Sequence, residues 1–214
     1  MRNRSTANLN SSPASTAGSG CRPKWSWKLP PPSQVALICC TLLALQVLVL
    51  YLQGRPWWCK CGEASLWVGS AFSSHTSQHL FDPYSITHLL HGVLFFLILW
   101  LVLPSVTLAW RFVMAIGIEV VWEVVENTNF IIERYRSATI SLDYMGDSIA
   151  NSVADVGCCA IGFAIARWIG WQTSIVVFVL VELLMLFWIR DNIMLNVIML
   201  LYPFEAIKDW QFAQ

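Results

Sequence analysis

The chain has 214 residues, 57% hydrophobic and 12% charged, against about 45–50% and about 25% in an average soluble domain. Thirteen basic and thirteen acidic residues cancel, so no positive excess is available to hold a phosphate backbone, and no nucleic-acid partner is expected. Seven cysteines in a chain of this length do not make a small disulfide scaffold.

Residues 1–33 are rich in Ser, Asn, Pro and Gly, contain no acid, and carry Arg2, Arg4, Arg22, Lys24 and Lys28. They predict a disordered basic tail held in the cytoplasm, ahead of a single polytopic membrane domain over 34–214. The expected fold is an all-α integral membrane protein with five transmembrane helices and a short C-terminal hydrophobic or interfacial helix. Each span needs roughly 20 mostly apolar residues, because backbone amides must be satisfied inside the bilayer. The five expected spans are 34–53, 85–103, 108–125, 147–168 and 172–189. The apolar piece 193–202 ends at Pro203 and is too short to cross alone. No cleavage site follows the first span, which therefore reads as a retained anchor.

A cytoplasmic N-terminus would place the loops around 54–84, 126–146 and 190–192 outside, and the polar residues then gather on that side. All four histidines fall between residues 75 and 91. His75 and His79 are four apart, His88 and His91 three apart, so each pair would share a face on a helix. Cys59 and Cys61 flank one lysine just outside the first span. They are poorly placed to bridge each other and are candidates for a metal, for a bond to another chain, or for free thiols. Trp57, Trp58 and Trp67 suggest an interfacial aromatic belt.

Span three sets Glu119, Glu123 and Glu126 on one helical face, and span four opens with Asp143, Asp147, Asn151 and Asp155 at every fourth residue. An acid inside a spanning helix costs about 2.5–3.5 kcal/mol on insertion scales, so this face requires a cavity, a partner or a proton. Gly157 and Gly162 continue the fourth span as a close-packing stripe, with Cys158 and Cys159 as buried filler. The nine acids Asp82, Glu119, Glu123, Glu126, Glu133, Asp143, Asp147, Asp155 and Asp191 would face outward, with Arg134, Arg136 and Arg190 set against them. Four protonated histidines would still leave two negative charges, so either carboxylates hold protons or a cation is bound. Arg190, Asp191 and Asn192 interrupt the last apolar run, where Arg190 could enter the acidic cavity as counter-ion. The segment after Pro203 reads as a short amphipathic helix.

Neutral imidazoles with carboxylates are the ligand set of zinc or another divalent transition metal. The candidate metal ligands are His75, His79, His88, His91 and Asp147, and the candidate catalytic residues Glu123, Glu126, Asp143, Arg190 and Asp191. Glu119, Asn127, Arg134, Arg136, Asn151, Asp155 and Asn192 are expected to line the cavity.

From Cys59 to Trp210 the chain resembles a domain-of-unknown-function family of bacterial multi-pass membrane proteins. The resemblance rests on Cys59-Lys60-Cys61-Gly62, Ser77-Gln78-His79, His88-x-x-His91-Gly92, Trp122-Glu123-x-x-Glu126-Asn127, Arg134-Tyr135-Arg136, Asp143-Tyr144-x-Gly146-Asp147-Ser148-x-x-Asn151-Ser152 and Arg190-Asp191-Asn192. It implies a bacterial inner-membrane location and carries over no site. A second likeness is to the VanZ-like membrane family associated with teicoplanin resistance, through Glu123, Arg134, Asp147, Asn151, Gly157 and Gly162.

The leading functional expectation is a membrane enzyme or lipid binder whose outward cavity takes a lipid headgroup or lipid-linked envelope precursor. A divalent metal would polarise the reacting group, and Glu123 or Glu126 would act as base. The alternatives are a small proton- or ion-coupled transporter using Glu119, Glu123, Glu126 and Asp155, and an assembly factor that binds an envelope protein partner. Phosphate loops, nucleophile elbows and dinucleotide fingerprints are absent from the sequence.

Overall fold

The computed structural model describes residues 29–139 and 144–213. Asp143 and nearly all of the basic tail lie outside the described residues. Eight helices occupy the described chain: α1 Pro32–Leu52, α2 Ser85–Val102, α3 Leu108–Glu126, α4 Asn129–Ala138, α5 Ile149–Ile169, α6 Trp171–Trp188, α7 Ile193–Leu201 and α8 Glu205–Phe212. The described residues form no strand, only an isolated bridge between Trp67 and Phe81.

Four helices, α1, α2, α5 and α6, are long and apolar enough to cross a membrane. The fifth expected span, α3, matches them in length, with 19 residues, but carries Arg111, Glu119, Glu123 and Glu126. Its acids turn inward, Glu119 and Glu123 being fully buried, while Ile118, Val121 and Val125 are exposed. Large apolar side chains such as Leu37, Ile98, Val121, Ile161 and Leu184 likewise cover the outside. That is the arrangement expected of helices whose surroundings are apolar and whose polar groups must find partners within the protein.

The closest packing joins α2 to α5. A Cβ placed on Gly92 would overlap the Cys159 carbonyl, and one on Gly162 would overlap the carbonyl of Leu89, so small residues let the two backbones meet. Beside this seam Val93, Phe96, Leu99, Ala115, Phe163 and Ala166 form an apolar core. Cys158 and Cys159 are buried within α5, as filler. α5 begins at Ser148, whose hydroxyl accepts from Asn151 N, so Asp147 stands just ahead of the helix.

α4 is a helix that apolar run length does not reveal. Thr128 caps it by accepting from Ile131 N, and Arg134 donates through Nε to Leu200 O at 2.9 Å and through Nη2 to Leu201 O at 3.3 Å. A cation on the terminal carbonyls of α7 offsets the negative end of its dipole. α7 has nine residues, about 14 Å at about 1.5 Å per residue, and cannot cross a core of about 30 Å. Its first turn is held by Glu182 of α6, which accepts from Ile193 N at 3.1 Å and Met194 N at 3.3 Å. That acid in an apolar helix therefore serves as a cap.

Candidate functional site

The start of α2, the end of α3 and the start of α5 meet around His88. Its Nδ1 lies 2.6 Å from Glu119 Oε1 and 3.2 Å from Glu123 Oε1. Its Nε2 lies 4.0 Å from Asp155 Oδ2. One turn on, His91 Nδ1 faces both oxygens of Glu119 at 3.1 and 3.2 Å. The three-residue spacing on α2 does place both imidazoles on one face, and the four-residue spacing on α3 presents both glutamates to it. Glu123 is also anchored from behind. Ser152 Oγ donates to its Oε2 at 2.6 Å, and Gln46 Nε2 of α1 donates to Ser152 Oγ at 2.7 Å.

Partners nevertheless run short. Glu123 Oε1, Glu126 Oε2 and Asp155 Oδ1 are buried without a hydrogen-bond partner. His88, His91, Glu126 and Asp155 line a cavity of about 820 Å³. One wall of it is polar, with Tyr84, Thr87, Tyr135, Tyr144 and Asp147, and another is built from Ile193, Val197 and Phe212 of α7 and α8. Arg55 and Lys60 also contribute to its lining.

Asp147 joins this cavity through a separate lattice of bonds. Its Oδ2 accepts from Asn127 Nδ2 at 2.6 Å, its own N donates to Asn127 Oδ1 at 2.7 Å, and its Oδ1 accepts from Tyr144 at 3.0 Å. Burial pushes its carboxyl above the usual carboxylate range, and the Asn127 and Tyr144 bonds oppose that rise. Asp82 is likewise raised by burial, against the pull of the Ser77 and Tyr84 amides.

The histidines divide into two groups. His88 and His91 cluster with Glu119, and His88 also with Glu123 and Glu126, whereas His75 and His79 meet Cys59 and Cys61. The 75–79 segment is a run of turns, not a helix. Ser77, in the left-handed region at φ 62°, folds the chain so that the two rings approach to 5.6 Å between centroids.

Arg190 does not reach the acids. Its Nη1 donates to Trp210 O at 2.8 Å and its guanidinium stands 5.6 Å from the Trp210 ring. Its left-handed backbone, φ 53°, turns the side chain toward α8. Arg134 is spent on α7, and Arg136 is exposed on α4. Asn151 donates to Leu80 O at 3.3 Å, and Asn192 caps α7 by accepting from Leu195 N at 2.9 Å. Gln46, Ser152, Tyr135 and Tyr144 belong to the site although no ligand spacing marks them. A glutamine in the middle of the uncharged first span is the available signal for Gln46.

Asp191 provides a pH probe. Burial raises its carboxyl to about 7, against the Asn192 amide, Tyr84 and Asn196. The native state thus holds a proton that the unfolded chain releases near its ordinary value of about 3.9. This contribution is fully present below that value and is lost as pH rises through about 7. Asp191→Asn is expected to flatten the fall in Tm between about pH 4 and about pH 8. A profile superimposable on that of the wild type would contradict a buried neutral Asp191.

A profile of the family described as "Protein of unknown function (DUF2585)" matches residues 50–213. A UPF0314 protein of Brucella anthropi is 49% identical over 176 residues, covering 82% of this chain and 89% of its own. One from Paracoccus denitrificans is 44% identical over 172 residues, 80% of this chain and 89% of its own. One from Sinorhizobium fredii is 42% identical over 190 residues, 89% and 92% of the two chains. No solved structure matches significantly. The sequence likeness first carried by the Cys59–Cys61, His88–His91 and Glu123–Glu126 motifs thus extends over most of the chain, which belongs to the DUF2585 family of bacterial UPF0314 proteins.

Proposed function

We propose that the protein is a metal-dependent enzyme of the bacterial inner membrane that acts on the phosphate-bearing headgroup of a lipid or lipid-linked envelope precursor. In this reading five helices cross the bilayer, with the acidic face of α3 shielded by its neighbours, the N-terminal tail is cytoplasmic, and the cavity opens to the outer leaflet. The observation that carries it is the set of buried oxygens of Glu123, Glu126 and Asp155 near His88 that lack a hydrogen-bond partner, with Glu126 and Asp155 at the wall of the large cavity. Buried carboxylates without partners are costly unless a cation or proton completes them. Imidazole and carboxylate in one cluster suit a divalent transition metal.

His88, His91 and Glu119 would hold that ion, which would supply Lewis-acid polarisation of a phosphoryl oxygen. Glu126 faces the cavity with a free oxygen, positioned to take a proton from water. Gln46 and Ser152 fix the rotamer of Glu123 from behind. The polar and apolar walls favour an amphipathic substrate, with acyl chains against Ile193, Val197 and Phe212 and the headgroup toward His88. Arg55 and Lys60 favour an anionic headgroup.

Transport along the acidic row fits less well. Beyond Glu119, Ala115 packs with Phe163, Val93 and Phe96 in a dry core, and inverted repeats are absent from the sequence.

The test uses protein in lipid nanodiscs without a polyhistidine tag. Phosphate release from nanodisc phospholipid is expected to stop on chelation and return with added metal. His91→Ala, at a half-buried position, is expected to bind one equivalent of metal less than the wild type. Equal metal content in the two proteins would overturn the reading.

A further inference from the structure

A second donor cluster lies apart from His88, in the segment between α1 and α2. Cys59 Sγ stands 3.4 Å from His75 Nδ1, and Cys61 Sγ stands 3.6 Å from His79 Nε2. One donor atom from each of the four residues lies within 4.8 Å of all the others. Two unrelated thiol–imidazole hydrogen bonds would have no reason to converge in this way. Zinc–sulfur bonds of about 2.3 Å and zinc–nitrogen bonds of about 2.0–2.1 Å, set tetrahedrally, separate sulfur from nitrogen by about 3.5 Å. Both measured separations sit at that value.

The backbone around the cluster is shaped accordingly. Gly62, at φ 79°, turns the chain directly after Cys61, and Gly62 N donates back to Cys59 O at 3.3 Å. Glu63 N donates to Cys61 Sγ at 3.4 Å, the kind of backbone contact that steadies a thiolate ligand. On the other side the left-handed Ser77 folds the histidine segment back, its N donating to Asp82 Oδ2 at 2.6 Å. His79 is buried, with the Trp58 ring edge-on at 5.7 Å.

We propose that Cys59, Cys61, His75 and His79 form a structural zinc site. Two thiolates and two neutral imidazoles balance the dication and complete four-coordination, leaving no open position for substrate. The segment it would cross-link has no helix and a single isolated bridge. It also roofs the cavity, since Cys59, Cys61, His75 and Ser77 all line it. Ser77 O and Pro56 O accept from Ser148 N and Ile149 N, both at 2.8 Å, which ties this roof to the start of α5. Zinc here would hold the roof in register over His88 without touching the reacting atoms.

The experiment is metal analysis of the full chain in nanodiscs, purified without a polyhistidine tag, with cobalt exchange as a second readout. About one equivalent of zinc is expected that His91→Ala retains and that Cys61→Ser and His75→Ala each lose. Cobalt in the wild-type protein should give the intense visible bands and sulfur-to-metal charge transfer of a tetrahedral thiolate site, a signature independent of whether the variants fold. Absence of both zinc and the cobalt spectrum would overturn the proposal. So would copper at the same residues, or a Cys59–Cys61 disulfide detected as a mass two hydrogens lower.

Discussion

His88→Ala is expected to lower the unfolding free energy in nanodiscs by about 3–5 kcal/mol, the scale seen when one partner of a buried charged group is removed. His88 is the hub of the cluster, 2.6 Å from Glu119, 3.2 Å from Glu123 and 4.0 Å from Asp155. Truncation leaves Glu119 with His91 as its remaining imidazole partner and removes the imidazole facing Glu123. Adding Glu119→Gln or Glu123→Gln to the His88→Ala background should restore much of the loss, because the amide needs no counter-charge. Unfolding curves of the single and double variants give the coupling directly. A His88→Ala protein as stable as the wild type would mean that the carboxylates are satisfied without this histidine.

The second large effect is expected at the α2–α5 seam. Gly92→Ala and Gly162→Ala each place a methyl group on a backbone carbonyl, not on the end of a flexible side chain. The helices must separate to admit it, and each substitution should cost at least the about 1–3 kcal/mol typical of overpacking. Gly157→Ala is the control. Nothing lies within 4 Å of its added carbon, and alanine is the better helix former by about 1 kcal/mol. Thermal unfolding should therefore rank Gly157→Ala at or above the wild type and the other two well below it. Equal Tm values for all three would contradict the close backbone approach.

Much of this arrangement was legible because the membrane makes polarity informative. Glu119 and Glu123 at four-residue spacing in an apolar run had to face inward together, and His88 and His91 at three-residue spacing had to share a face. The sequence could not divide the four histidines into two sites. That division depends on a left-handed backbone at Ser77, a conformation serine does not advertise, and on contact between segments separated by 16 and 18 residues. Arg190 was misleading for a similar reason. Charge balance pointed it toward the acids, but a positive φ at its own position turned it to Trp210. α4 is not marked by hydropathy because only Thr128 and the three-residue spacing of Ile132 and Tyr135 signal it, and neither is long enough to register as a span. Gln46 and Ser152 were readable only as isolated polar residues, since their value lies in bonding across three helices.

The glycine seam has a mechanical consequence. With backbone against backbone, α2 and α5 cannot shift along each other without opening a gap, so His88, His91, Ser152 and Asp155 behave as parts of one jaw. Glu119 and Glu123 ride on the opposing helix, joined to that jaw by polar bonds and by side-chain packing of Ala115, Ile116 and Val120, and not by interlocked backbone. Any breathing of the bundle is then concentrated in the imidazole-to-glutamate distances, while the spacing from His88 to Asp155 stays nearly constant. A spectroscopic ruler across α2 and α3 would register such motion, and one across α2 and α5 would remain still.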